Sequence, residues 1–261
     1  MSDGKVPTAH HHILRDNQSN PRWEGNMTPD VALAALHDRA DPEKAAEMAA
    51  YHKVSRPYLG ISVPQIDDLA REWRASSSVE ERISLAAGLW DSNIHEARVA
   101  AAKLFTQSRI RPDDNGVWRL IASWVPDFDA WAIADHVCIA GGKRLVANPD
   151  RIDEVALWTS SPHIWTRRAA LVITLPWTKQ NVPKQRDLAI RDRVLSWCAG
   201  YADDRDWFIQ KAIAWWLREL SRHDEQRSRA WLDAYGARLK SFARKEASRH
   251  LAPDPVQPPG P

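Results

Sequence analysis

The 261 residues are 44% apolar and 27% charged, with a formal net charge of +2, so the chain can bury a sizeable core and is not marked as a nucleic-acid binder by bulk charge. Its longest apolar runs fall well short of the roughly 20 residues that a membrane helix needs, and no apolar stretch follows the N-terminal charges as a secretory signal would, so a cytoplasmic protein is expected. Two cysteines, Cys138 and Cys198, lack the paired spacing of a zinc site or a disulfide framework; both read as buried thiols, and no metal or other cofactor is expected.

In chain order, residues 1–27 are polar, carry the run His10-His11-His12 and show no helical period, which reads as a disordered arm. Helix starts then recur at Asp41-Pro42, Ser62 with Pro64, Ser78, Asn148-Pro149 and Ser161-Pro162, each a capping residue followed closely by proline or glutamate. No alternating β-branched run competes, so the expected class is all-α. The segment 253–261 is proline-rich and reads as an irregular tail, leaving one domain over residues 28–252.

That domain repeats. Ten-residue strings beginning at Asn93, Asp129, His163 and Asp206 can be superimposed, at a near-constant period that suits a solenoid of HEAT-like helix pairs. In the last string Ile209, Ile213, Trp216, Leu217 and Leu220 form an apolar stripe, which assigns Trp216 to the core. Phe208, Lys211, Trp215 and Arg218 share a second face that includes string positions three, six and ten, and the face is carried to the other strings at positions three, six, seven and ten. The same positions are expected to line a concave surface along the whole stack: Trp165, Arg168, Ala169 and Val172 in one repeat, and Trp131, Ala134, Asp135 and Cys138 in the one before.

Position six is basic in three strings, as Arg98, Arg168 and Lys211, which reads either as a ladder for phosphates or as solvated surface. Residues 205–250 hold eleven Lys and Arg against six Asp and Glu, so the basic character gathers toward the C-terminal end. Asp135 interrupts the ladder beside Trp131. It reads either as a carboxylate with a chemical task or as the partner of a neighbouring arginine, and the 14 tryptophans of the chain read either as core or as stacking surfaces.

Three segments carry a family resemblance: Tyr51 through Ile61 (YHKVSRPYLGI), Trp131 through Asp135 (WAIAD), and WTRR at 165–168 with FIQKAIAWWLR at 208–218. Together they resemble the HEAT-like-repeat DNA glycosylases of the bacterial alkylation repair family, often called AlkD-like, over about residues 28–250. The resemblance implies that Asp135 is the catalytic carboxylate, that Trp131 and Trp215 line the lesion site, that Arg168 holds the DNA backbone and that Tyr51 approaches from the N-terminal side. Lys211 and Arg218 are expected to contact phosphate. Gln210 departs from the pattern, standing where members often carry another base. The partner implied is double-stranded DNA containing alkylated bases, bound by a monomer that touches no membrane. The chemistry implied is hydrolysis of the N-glycosidic bond of cationic purines such as 3-alkyladenine and 7-alkylguanine. These are good leaving groups, so the reaction needs a carboxylate to stabilise the sugar cation and place a water. A non-catalytic HEAT-repeat scaffold or a binder of nucleic-acid structure is the alternative.

Overall fold

The computed structural model describes residues 27–251, within which every regular element is helical. The expected arm lies outside these residues except for Met27, and the tail lies wholly outside them. Thirteen α-helices follow one another: α1 (Pro29–His37), α2 (Pro42–His52), α3 (Val63–Ala75), α4 (Val79–Asp91), α5 (His95–Lys103), α6 (Asn115–Trp124), α7 (Trp131–Ala147), α8 (Ile152–Trp158), α9 (Ile164–Val172), α10 (Gln185–Gly200), α11 (Trp207–Ser221), α12 (Glu225–Tyr235) and α13 (Ser241–Ala247).

The starts are set by local chemistry. Asp41 caps α2 by accepting the Lys44 amide at 3.1 Å, and its proline follows at the first helical position. Ser78 and Glu81 exchange backbone amides in a capping box at α4, and Gln65 accepts the Ser62 amide at α3. Two expected starts sit elsewhere. Asn148 caps a 3-10 turn that leads into α8, and Ser161 accepts the amide of His163, so α9 begins only at Ile164.

Three of the four strings, α5, α7 and α9, are second helices of pairs, and the fourth, α11, pairs with the helix that follows it. These helices pack successively, α3 on α5, α5 on α7, α7 on α9, α9 on α11 and α11 on α13, forming one continuous row, while α4, α6, α8 and α12 pack behind as their partners. Polar side chains repeat the period. Trp118 donates to Glu154, 36 residues on, at 2.6 Å, Trp231 to the Leu195 carbonyl at 2.9 Å, and Trp216 to Thr174 at 3.2 Å. These three buried indoles thus satisfy their N–H groups on a neighbouring repeat, which accounts for part of the tryptophan surplus.

Trp216 is fully buried and Trp215 half-buried, as the stripe in α11 requires. Of the four expected positions, seven is buried in α9 and in α11 itself, where it is Ala212, and stays partly exposed only as Asp135 among α7, α9 and α11, while ten is buried in α7 and α9. Ala169, Val172 and Cys138 belong to the core, as does Ala134 at position six. A helix inside the row has neighbours on both flanks and a partner behind, so only a narrow strip stays free, narrower than the four positions that α11 suggested. Position three keeps to that strip or its edge in three strings, as Trp131, Trp165 and Phe208, while the ring at that position in the first, His95, is buried. The recurrent feature of the row is therefore aromatic before it is basic.

Candidate nucleic-acid interface and carboxylate site

The segment Tyr51 through Ile61 joins α2 to α3 and is shaped from below. Glu96 of α5 is fully buried and accepts the amides of Leu59 at 2.9 Å, Gly60 at 2.8 Å and Ile61 at 3.4 Å. A carboxylate meeting three orphan amides replaces the ladder that this segment lacks. Gly60 turns with φ +77°, where a Cβ would stand 2.2 Å from the Asp41 carbonyl oxygen, so only glycine fits. The His95 amide adds a bond to the Pro57 carbonyl at 3.0 Å.

This anchoring sets a cluster of rings against the start of α7. His52 stacks on His95 at 4.6 Å between centroids, Tyr58 on His95 at 5.0 Å, and Trp131 meets His52 at 5.6 Å and Tyr51 at 6.1 Å. Tyr51 is 69% exposed, the free end of the cluster. Burial lowers the basicity of His52 and holds His95 neutral with a pKa of about 3; the nearby His52 and Arg56 act on His95 in the same direction. Farther along α7, burial and Lys103 bring His136 to about 4 against the pull of Asp135. His52 lies inside the segment Tyr51 through Ile61, though the motif assigns it no role, and His95 is marked only by standing at position three of the first string.

Asp135 lies one helical turn beyond Trp131, on the same side of α7. Its side chain is 20% exposed and is gripped by both terminal nitrogens of Arg168 from α9, at 2.5 and 3.2 Å. The Arg168 side chain is 4% exposed and lies 5.9 Å from the Trp165 ring. The arginine partner expected on one reading of Asp135 is therefore present, and Arg168 is turned to the carboxylate, not outward. Bidentate pairing fixes the carboxylate plane while one side stays open to solvent.

The remaining basic positions are also engaged. Arg98 stacks 4.5 Å from the Trp90 ring and donates to the Trp90 carbonyl. Lys211 meets Glu246 of α13 at 2.7 Å, and Arg218 bridges Glu246 and Glu219. The ladder expected from spacing is thus a set of paired cations. Gln210 is fully buried, donating to the carbonyls of Ala202 and Asp204 and accepting the Lys240 amide at 2.8 Å. Its departure from a basic residue follows from that task. Trp215 faces neither ring nor hydrogen-bond partner among the described residues, while Trp165, Phe208, Trp207 and Phe242 continue the aromatic line toward α13. No group of three or more metal-ligating side chains occurs among the described residues, and none of the described helices is long and apolar enough to cross a membrane.

Stacked helix pairs presenting a line of rings with a clamped carboxylate among them define a helical-repeat protein with an open recognition face. The family model described as DNA alkylation repair enzyme matches residues 32–251, and the chain belongs to that family. Among solved structures, a predicted DNA alkylation repair enzyme from Enterococcus faecalis superposes with a TM-score of 0.69 at 24% identity, covering 82% of this chain and 97% of its own. The AlkD2 protein from Streptococcus mutans gives a TM-score of 0.57 at 16% identity over 81% and 99% of the two chains. The protein smu.31 from Streptococcus mutans UA159 gives 0.57 at 18% identity over 73% and 93%. At these identities the likeness shows the shared helical-repeat fold. No curated protein matches the chain. Family membership connects the chain with DNA alkylation repair, and with DNA as the partner that such repair implies.

Proposed function

We propose that the protein is a DNA glycosylase that releases cationic 3- and 7-alkylated purines from duplex DNA held along the free face of the helix row. The observation that carries this reading is Asp135: a carboxylate oriented by the Arg168 fork, partly open to solvent, one turn from Trp131. An alkylated purine leaves without an acid because it departs neutral from a cationic precursor, and the sugar gains the positive charge. A fixed carboxylate stabilises that charge and orients the attacking water, and it takes up the water's proton as the new C1′–O bond forms and passes it to solvent. The Trp131 and Trp215 faces attract the cationic base or sugar through their ring quadrupoles. Tyr51 would meet the DNA from the N-terminal side.

Arg168 acts in this scheme as a positioning residue that holds Asp135. Lys211 and Arg218 would reach phosphate only by leaving or sharing Glu246. A soluble cytoplasmic monomer, one domain over 28–252 and no cofactor complete the proposal. Incubating the purified protein with methylated duplex DNA and quantifying free 3-methyladenine and 7-methylguanine tests it. Base release above the spontaneous rate is expected, and release at the spontaneous rate by folded, DNA-binding protein would leave the scaffold reading in its place.

A further inference from the structure

If the row is a DNA interface, something must hold the backbone near Asp135, and the three cations first assigned that task are occupied. The start of α7 offers another holder. This 17-residue helix begins at Trp131 behind the N-cap Ala130, which supplies no side-chain acceptor. The amides of Trp131, Ala132 and Ile133 find no acceptor among the described residues, so the positive end of a long helix stands uncapped. A second observation points to the same spot independently. Arg56 lines the cleft at this terminus with Ala130, Ala132 and Ile133; its side chain is 1% exposed, yet Nε and Nη1 find no partner among the described residues. The His52 Nδ1 in the same cleft is likewise buried without one.

The one ionic partner of Arg56 among the described residues is Asp129, whose side chain remains 46% exposed. The cleft is narrow around these groups and leaves no space the size of a water. An anion can therefore enter only by taking the place of the Asp129 carboxylate. Arg98 flanks the pair within electrostatic reach of both Arg56 and Asp129; Asp127 and Asp91 act on Arg98 from the same side, and Glu96 is committed to the loop amides. Helix terminus, half-satisfied guanidinium and replaceable carboxylate together form a phosphate site with a stand-in already seated.

We propose that the N-terminus of α7 and Arg56 bind one DNA backbone phosphate beside Trp131, and that Asp129 occupies that position in the free protein and is displaced when DNA binds. This deepens the glycosylase reading and rests on the same face being the DNA interface. The phosphate would lie one helical turn from Asp135, so its capture would set the register of the damaged strand against the carboxylate. An exposed Asp129 is suited to yield, because water can take up its charge as it leaves. A fully buried acid would not be.

The experiment uses full-length protein and undamaged duplex DNA, so it needs no base release. Affinity is measured against salt for wild type, Asp129→Asn and Arg56→Met, with folding of each checked by circular dichroism. The salt slope is expected to fall by about 0.9 in Arg56→Met, the value for one phosphate no longer neutralised. Asp129→Asn should bind about 3- to 10-fold more tightly, since the competing charge is gone. A second measurement covers the case in which Arg56→Met fails to fold. Inorganic phosphate is titrated into wild type and Asp129→Asn while the amide resonances of residues 131–133 are followed. Saturable shifts there, tighter in Asp129→Asn, are expected. Unmoved amides in both proteins, or weaker DNA binding by folded Asp129→Asn, overturn the proposal. Failure of base release with these binding results intact would remove the glycosylase reading alone.

Discussion

At the α11–α13 end of the row, Lys211 and Arg218 converge on Glu246, and Arg218 also holds Glu219, so two cations and two carboxylates close on one another. Farther toward the N-terminal side, at the start of α7, Arg56 has one exposed carboxylate and two unsatisfied nitrogens, next to an uncapped helix. The first region is the richer in basic residues and the second is the better prepared for an anion. What decides attraction is charge left unmatched after folding, and a count along the chain does not measure it.

The sharpest way to probe the ground between the two regions is Asp135→Asn. If the carboxylate stabilises the sugar cation, single-turnover excision should fall by a factor on the order of 10² to 10³, as when other preorganised groups are removed. The change also leaves the buried Arg168 charge half-matched, and thermal unfolding should show a loss of roughly 1–3 kcal/mol, below the full value for a buried pair because Asp135 is partly solvated. Rates must therefore be compared on the folded fraction. Excision that falls only in step with that fraction would assign Asp135 a structural role.

Next in size is Glu96→Gln, which strikes the support of the N-terminal region and leaves the α11–α13 end untouched. An amide side chain brings a donor where three backbone donors converge, so a loss of about 2–4 kcal/mol is expected, read by chemical denaturation. The amides of Leu59, Gly60 and Ile61 should lose their protection from hydrogen exchange first. Unchanged protection there would contradict the anchoring role.

Acid should separate the regions as well. His95 and His136 have folded pKa values of about 3 and about 4, below the ordinary 6.5. As the pH falls through 6.5 the unfolded chain takes up these protons and the folded chain does not, so stability declines between about 6.5 and 4, and for His95 down to about 3. A loss on the order of a few kcal/mol across that window follows from the two shifts. His95→Gln should flatten the profile, and a stability curve equally steep in that variant would remove His95 from the explanation.

The smallest effect is expected at Lys211. Its spacing alone leads one to expect a salt slope lower by about 0.9 in Lys211→Gln. The pairing with Glu246 leads to a smaller change, because the variant also releases an anion to compete for Arg218. A full 0.9 would show that Lys211 leaves Glu246 for DNA and would narrow the contrast between the regions.

The helix pairs and their period were legible because capping residues and apolar stripes are local signals; Asp41, Ser62 and Ser78 act where their chemistry requires. The register of α11, with Trp216 inside and Trp215 at the edge, could be read from its own spacing. Its transfer to α7 and α9 failed at Cys138, Ala169 and Val172 because burial there depends on flanking helices, which spacing within one helix does not encode. The same limit hid Glu246 behind Lys211 and left the arginine partner weighed for Asp135 without its number, Arg168; the pairs are 35 and 33 residues apart. Both lie near the repeat period, so offsets of that length were the available clue. Tyr51 through Ile61 was visible as a motif, but its dependence on Glu96 was not, since nothing in the segment names a partner 35 to 37 residues away.

That offset has a mechanical consequence. The indoles of Trp118 and Trp231 and the hydroxyl of Tyr201 tie each repeat to an adjacent one, so stability accumulates through nearest-neighbour couplings, as in a stack of coins glued face to face. A helix at either end is held on one side and an interior helix on two. Thermal opening should therefore begin at the ends and travel inward, with exchange protection rising toward α7 and α9. The chemistry proposed for Asp135 would then sit in the stiffest part of the stack, where a carboxylate least needs rearrangement to meet its transition state.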